Sequence, residues 1–241
     1  MNLIIGGSSG LGKSLAIYFA KIDKTIVISR RLIKSKNKNI ISIKLDINNH
    51  NLSYLYKSIK KEELSNIFFT VGLSIWNKDN INLNYEKSKK ILETNFHSIT
   101  KITNELIKRK KLKKNCLICF CSSASTILPR HRQIIYCASK SALNSYYKSI
   151  RTFLYVKNLN YRVVNLILGY MNTKMNKGIS TPFKKTDPNR IARYIFTNRK
   201  KLNGIYHLPK YWYLIRLMVD LLPENIFQKI FKEIYSRKKY F

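Results

Sequence analysis

The first sixteen residues, MNLIIGGSSGLGKSLA, place the tightest constraint on the fold. Leu3, Ile4 and Ile5 form an apolar run, and Leu15, Ala16, Phe19 and Ala20 follow at helical spacing. A glycine-rich turn joins the two. A strand that turns at once into a helix opens a β-α-β unit, which commits the chain to a parallel sheet with helices packed on it. The turn fits two phosphate-binding patterns. Residues 7–14, GSSGLGKS, match G-x-x-x-x-G-K-[ST], the cradle for a nucleoside triphosphate. Gly6, Gly10 and Gly12 also match a dinucleotide-binding turn. Either reading sets an anion on the N-terminus of the helix.

The rest of the chain keeps the alternation. Strands are expected near 2–6, 25–29, 40–44, 67–71, 115–121, 162–168 and 204–207. Helices are expected near 11–21, 51–61, 87–110, 135–157, 188–199, 211–222 and 224–236. This order predicts an α/β fold with a doubly wound parallel sheet, whose ligands sit at the carboxyl ends of the strands. The 241 residues contain no linker and no internal repeat. They read as one domain over 1–210 with a helical appendage over 211–241.

Composition narrows the partners. Lys and Arg number 46 against 12 Asp and Glu, a formal net charge of +34, so anionic partners are favoured. Nucleic acid, an acidic membrane surface and a phosphorylated substrate all qualify, but no nucleic-acid-binding motif is present. The densest run, KRKKLKK over 108–114, reads as a solvated loop after a helix. CLICFC, over 116–121, superficially resembles a metal cluster. Strand alternation instead puts Cys119 and Cys121 on one face, with no partner pair at zinc spacing downstream, so these are small buried hydrophobes. No metal is expected. No leader segment is expected, since the sequence reads straight into the first strand, and no run reaches the roughly 18 apolar residues that span a bilayer. A reducing cytoplasmic setting is expected.

The glycine turn is decided by its surroundings. Triphosphate chemistry needs a magnesium-holding Asp after an apolar strand. The best candidate, Asp46, follows ISIKL, which Lys44 interrupts. The dinucleotide reading fares better. TIVIS ends at Ser29, and Arg30 and Arg31 follow, about 18 residues beyond Gly12, where an acid binds the ribose of NAD and an Arg meets the 2′-phosphate of NADP. Guanidinium binds phosphate with charge-assisted hydrogen bonds, so NADP(H) is favoured over NAD(H). Tyr136 and Lys140 share a helix face at i and i+4. A free phenol has a pKa of about 10, and a nearby ammonium lowers it toward useful acid–base work.

Over residues 1 to about 210 the chain resembles the short-chain dehydrogenase/reductase family. The resemblance is carried by IGGSSGLG (5–12) at the T-G-x-x-x-G-x-G position, by Asp46, and by Asn95 in the segment ETNF. Ser123 lies 13 residues before Tyr136 and 28 after Asn95, and LGYMNT (168–173) stands at P-G-x-x-x-T. The resemblance implies a Rossmann-type fold and a catalytic set of Asn95, Ser123, Tyr136 and Lys140. Tyr136 is then the general acid/base, and Lys140 lowers its pKa and holds the nicotinamide ribose. Ser123 bonds the substrate oxygen, and Asn95 supports a relay water. It implies cofactor contacts from Gly6, Ser8, Ser9, Gly10, Leu11 and Gly12 at the pyrophosphate, and from Arg30, Arg31, Asp46 and Ile47 at the adenosine end. Gly72, Tyr136, Lys140, Gly169, Met171 and Thr173 complete the set toward the nicotinamide. Five positions depart from the pattern. Ile5 replaces Thr, Leu168 replaces Pro, and FTVG (69–72) stands for N-N-A-G with only Gly72 kept, which predicts altered packing near the cofactor.

Two further features are ambiguous from sequence. His131, between Ser123 and Tyr136, reads either as facing substrate or as a surface-loop residue, and His97 as a packing or capping residue. The tail from 211 has a first helix apolar nearly all round, broken at Pro223. A second follows, with Ile226, Phe227, Ile230, Phe231 and Ile234 on one stripe. It packs on the core or a second copy of the chain, or docks on an anionic membrane. The expected activity is NADP(H)-dependent interconversion of a ketone and a secondary alcohol. The substrate is lipophilic, lipid-linked or phosphate-bearing, and the assembly a homodimer or larger homo-oligomer. The alternative is a non-catalytic NADP-binding or membrane-associated scaffold.

Overall fold

The computed structural model describes residues 1–49, 52–59, 63–76 and 84–236, the last three by backbone alone. In chain order the elements are β1 (Asn2–Ile5), α1 (Gly10–Phe19), β2 (Thr25–Ser29), β3 (Ile40–Lys44), α2 (Ser53–Ser58) and β4 (Leu64–Phe69). Next come α3 (Tyr85–Leu92), a π-helical turn (Glu93–His97), α4 (Ser98–Lys108) and β5 (Leu112–Ser123). The chain continues through α5 (Ile134–Val156), β6 (Arg162–Leu168), α6 (Pro188–Asn198), β7 (Gly204–Leu208), α7 (Tyr211–Leu221) and α8 (Glu224–Ser236).

All seven strands form one parallel sheet in the order β3-β2-β1-β4-β5-β6-β7. Strand alternation sorts the core into two layers. Leu3 and Ile5 face a layer with Leu55 of α2, Ile99, Ile102 and Leu106 of α4, and Leu143 and Ile150 of α5. Ile4 faces the other layer, with Leu15, Ala16 and Phe19 of α1 and Ile191, Ala192 and Ile195 of α6. The same rule puts Cys116 in the first layer and Cys119 and Cys121 in the second. Burial drives the Cys116 thiol up to about 12 and Cys119 upward as well, so both are neutral, space-filling groups.

Strand order reverses at β1, which pairs with β2 on one side and β4 on the other. Consecutive connections leave the sheet in opposite directions there, so a crevice opens above the carboxyl ends of β1 and β4. At the opposite end, buried amides tie the same strands together. Asn66 Nδ2 donates to Asn2 Oδ1 at 2.8 Å, and Asn2 Nδ2 donates to Thr25 Oγ1 at 3.1 Å. These bonds satisfy polar groups that would otherwise be orphaned in the core.

Two elements differ from expectation. The helix expected over 87–110 is interrupted by the π-helical turn, whose wider winding shifts the residues that follow around the helix axis. Strand β4 lies at 64–69 rather than 67–71, because Thr70 N and Thr70 Oγ1 both donate to Ile5 O at 2.9 Å and draw the chain over β1. The parts of the expected 51–61 helix at 51, 60 and 61 lie outside the described residues. Among the described residues no helix is long and apolar enough to cross a membrane.

The tail is anchored through α7, mainly by Trp212, with Tyr211, Ile215 and Val219 packed beside it. Trp212 of α7 is 1% exposed and packs with Ala124, Ile127 and Ile167, with Phe183 against its ring at 4.6 Å. Arg216 and Asp220 pair at 3.2 Å along the helix. Beyond that anchor, Leu214, Leu217, Met218 and Leu221 of α7 and Ile226 and Ile230 of α8 face solvent.

Candidate active site

The turn after β1 forms the floor of the crevice. Gly6 adopts φ +94°, and a Cβ there would lie 2.5 Å from Val71 N. At Gly12 a Cβ would lie 2.5 Å from Gly6 O and also strike Thr70 Oγ1. Only glycine lets the turn lie this close to the end of β4. Thr70, at a position where the resemblance has Asn, supplies the hydroxyl that fastens the two chains. Ser9 is the N-cap of α1, yet its side chain makes no capping hydrogen bond, and the first turn carries no acid. The helix therefore presents an uncompensated positive end to the cleft.

The cleft has a volume of about 330 Å³ and opens to solvent. One wall is formed by the turn residues Gly6, Ser8, Ser9, Gly10, Leu11 and Gly12. At one end stand Arg30, Arg31, Asp46 and Ile47, with both Arg side chains exposed at the rim. Asp46 Oδ1 accepts from Asn48 N, and Asn48 Nδ2 donates to Thr94 Oγ1 at 2.8 Å, which couples this corner to the π-helical turn. At the other end stand Gly72, Ser123, Tyr136, Lys140, Gly169, Met171 and Thr173. The segment after Thr173 is held by Lys185, whose Nζ donates to Asn176 O at 3.0 Å and Ile179 O at 2.6 Å.

Asn95 is the one residue of the expected set that does not line the cleft. It is fully buried in the π-helical turn. Its Oδ1 accepts from Leu73 N at 2.8 Å, and its Nδ2 donates to Leu73 O at 2.9 Å and Ser139 Oγ at 3.0 Å. It clamps the strand-end segment 72–74 to α5 from behind. His131 is exposed and does not line the cleft, and His97 is exposed beside Phe96.

Tyr136 and Lys140 are both buried. Burial raises the phenol of Tyr136 above its usual value, while the Arg130 guanidinium and a hydrogen bond with the Ser123 side chain pull it down. Burial also lowers Lys140 to about 8. Its Nζ donates to Cys121 O at 2.9 Å and lies 5.9 Å from the Tyr136 ring centroid. Arg130, whose Cζ lies 6.0 Å from the Tyr136 ring centroid, thus stands as a second cation beside the phenol, one that sequence reasoning missed. The available signal was its place between Ser123 and Tyr136, where His131 drew the attention.

With this geometry in hand, the comparisons decide the family. The sequence profile described as short chain dehydrogenase matches residues 1–183. The chain belongs to the short-chain dehydrogenase family. It is an NAD(P)-dependent oxidoreductase. An uncharacterized short-chain type dehydrogenase/reductase of Sinorhizobium fredii is 22% identical over 178 residues, covering 72% of this chain and 70% of that protein. A dehydrogenase/reductase SDR family protein 7-like protein of Drosophila melanogaster is 25% identical, covering 72% of this chain and 58% of its own length. Among solved structures, a short chain dehydrogenase of Burkholderia cenocepacia in complex with NADP superposes with a TM-score of 0.76 at 14% identity, over 97% of this chain and 96% of that one. A short chain dehydrogenase family protein of Francisella tularensis gives a TM-score of 0.74 at 23% identity, over 86% and 96%. These structural likenesses establish a Rossmann-type α/β fold.

The residues at hand suit a dinucleotide. Glycines leave room that a Cβ would fill, a helix end lacks its cap, and Arg30 and Arg31 stand at the rim of the cleft. One consequence concerns Lys140. Its folded-state value of about 8 lies below the ordinary 10.5, so the unfolded chain holds more protons between those values and folding strengthens as pH rises through that window. Wild type should therefore gain stability relative to Lys140→Met, on the order of 3 kcal/mol, between pH 8 and 10.5. Urea unfolding of both proteins across this range checks it; parallel curves would contradict the buried, charge-costly lysine.

Proposed function

We propose that this short-chain dehydrogenase interconverts a ketone and a secondary alcohol, using NADP(H) in preference to NAD(H). The observation that carries the reading is the meeting of Ser123, Tyr136 and Lys140 at one end of a cleft whose other end holds Arg30 and Arg31. Bound at the glycine turn, the nicotinamide cofactor supplies or accepts the hydride. In the reductive direction the Tyr136 phenol, protonated at neutral pH because burial raises it, donates its proton to the substrate oxygen as that oxygen gains charge. The Ser123 hydroxyl hydrogen-bonds the same oxygen and stabilises the developing negative charge. Lys140 holds the ribose hydroxyls, and Asn95 keeps segment 72–74 in place behind them. Gly10 and Thr173 meet at the cleft floor, where a Cβ on the glycine would lie 3.1 Å from Thr173 Cγ2, and Thr173 would help hold the nicotinamide end of the cofactor.

A second reading concerns location. The solvent-facing apolar side chains of α7 and α8, with Leu214 61%, Met218 66% and Leu221 84% exposed, suit an anionic lipid surface in a chain of net charge +34. A lipid-linked substrate would reach the cleft from that surface.

Three outcomes are expected. Tyr136→Phe loses carbonyl reduction about 10²- to 10⁴-fold, read as NADPH consumption, while NADPH affinity holds; equal rates would remove Tyr136 from the chemistry. The Arg30→Ala/Arg31→Ala pair erases a preference for NADPH over NADH of at least about tenfold in titration; an unchanged ratio would show that neither Arg reads the phosphate. Leu214→Ser/Met218→Ser/Leu221→Ser reduces flotation with anionic liposomes, whereas equal flotation removes the tail from the account.

A further inference from the structure

The substrate end of the cleft contains a guanidinium that the hydride and proton chemistry does not require. Arg130 lines the cleft beside Tyr136. Its Cζ lies 4.8 Å from the Tyr170 ring centroid, 5.9 Å from that of Trp76 and 6.0 Å from that of Tyr136. Three aromatic rings thus surround the cation and restrict it.

Hydrogen bonds position it further. Arg130 Nη1 donates to Gln133 Oε1 at 2.6 Å. Gln133 is 4% exposed, and its Nε2 donates to Ser74 Oγ. Ser74 belongs to the segment that Asn95 clamps through Leu73. A buried chain of polar groups therefore runs from the π-helical turn to the guanidinium, and it fixes the orientation of a side chain that is otherwise costly to order.

Among the described residues, one hydrogen bond leaves a guanidinium that has five donors. Among the described residues, the sole acid lining the cleft is Asp46, at the end that holds Arg30 and Arg31. An oriented, half-buried Arg with no carboxylate partner among the described residues, opening on a cleft, suits an oxyanion that arrives from outside. A structural role alone would be served by the ring stacking, and would not require a buried amide aimed at Nη1.

We propose that Arg130 binds a carboxylate or phosphate on the substrate, so that the enzyme acts on short oxo acids, hydroxy acids or their phosphate-bearing counterparts. This rests on the ketone–alcohol reading above and narrows its substrate class. The oxyanion and the reacting carbonyl are held a few bonds apart, since the guanidinium and the Tyr136 ring are 6.0 Å apart and a carbon–carbon bond spans about 1.5 Å. The bound anion fixes the carbonyl against Ser123 and Tyr136, and its charge tells substrate from neutral ketones.

The test has two arms. In the first, malonate and inorganic phosphate are titrated into the NADPH-loaded protein, with cofactor fluorescence as the readout and ionic strength held with chloride. Arg130→Met, which keeps the stem, should weaken binding of the preferred anion roughly 30- to 100-fold, and Arg130→Lys should fall between. Whichever probe binds more tightly tells carboxylate from phosphate. In the second arm, acetoacetate and dihydroxyacetone phosphate are compared with the neutral ketones pentan-2-one and dihydroxyacetone. Wild type should favour the anionic member in kcat/KM, and Arg130→Met should collapse that ratio chiefly through KM.

Equal anion affinity in wild type and Arg130→Met, with NADPH still bound, would overturn the proposal. Turnover of neutral ketones without preference for the acids would overturn it too while leaving the ketone–alcohol reading intact. Arg130-dependent anion binding with no turnover of any carbonyl would overturn that reading and leave the anion site standing. Retained NADPH affinity in each variant shows that it has folded.

Discussion

The turn from β1 into α1 lies against the end of β4 with no room for a side chain between them. Gly6 and Gly12 make that approach possible, and the Thr70 hydroxyl on Ile5 O fastens it. Everything functional in the molecule depends on this contact. It brings the positive end of α1 to the floor of the crevice, and it sets the segment after β4 where Gly72 and Ser74 face Ser123, Tyr136 and Lys140. The position that departs from the family pattern thus retains a structural duty, with a hydroxyl doing locally what the pattern assigns to an amide.

Burial and charge act against each other at the far end of the cleft. Removing Tyr136 and Lys140 from water disfavours their charged forms, raising one and lowering the other. Both groups are drawn toward neutrality, which keeps the phenol a proton donor at neutral pH. Arg130 and Ser123 work in the opposite direction on Tyr136, so the acidity of the phenol is set by residues on two different segments. An anion bound at Arg130 would offset part of that pull, which couples substrate charge to the proton-transfer step.

The sequence carried much of this arrangement. Strand and helix order followed from periodicity, because the central strands β1, β2, β4 and β6 are buried on both faces and helices such as α1, α4 and α6 on one. The resemblance to the family, carried by motifs in the right order, implied most of the residues that line the cleft, which short turns at the carboxyl ends of parallel strands bring together. Three features were not legible. The π-helical turn inserts a register change that a 3.6-residue period does not reveal, and it is what sends Asn95 inward to Leu73 and Ser139. Arg130 is one of many basic residues in a chain of net charge +34, so composition hid it; only the rings of Tyr170 and Trp76 and the Gln133 bond mark it out. Trp212 looked like one apolar residue among many in the tail, yet it alone among the large apolar side chains of α7 is fully buried, against β6 and the loops above it.

The central claim is that this cleft moves a hydride to a carbonyl carbon while Tyr136 supplies the proton. Mass spectrometry of the product formed from NADPH carrying deuterium at both nicotinamide C4 positions, with a mixture of oxo acids and ketones, addresses it directly. The account predicts an alcohol with one deuterium on the carbinol carbon. An alcohol without label, or no alcohol from any carbonyl offered, would contradict it.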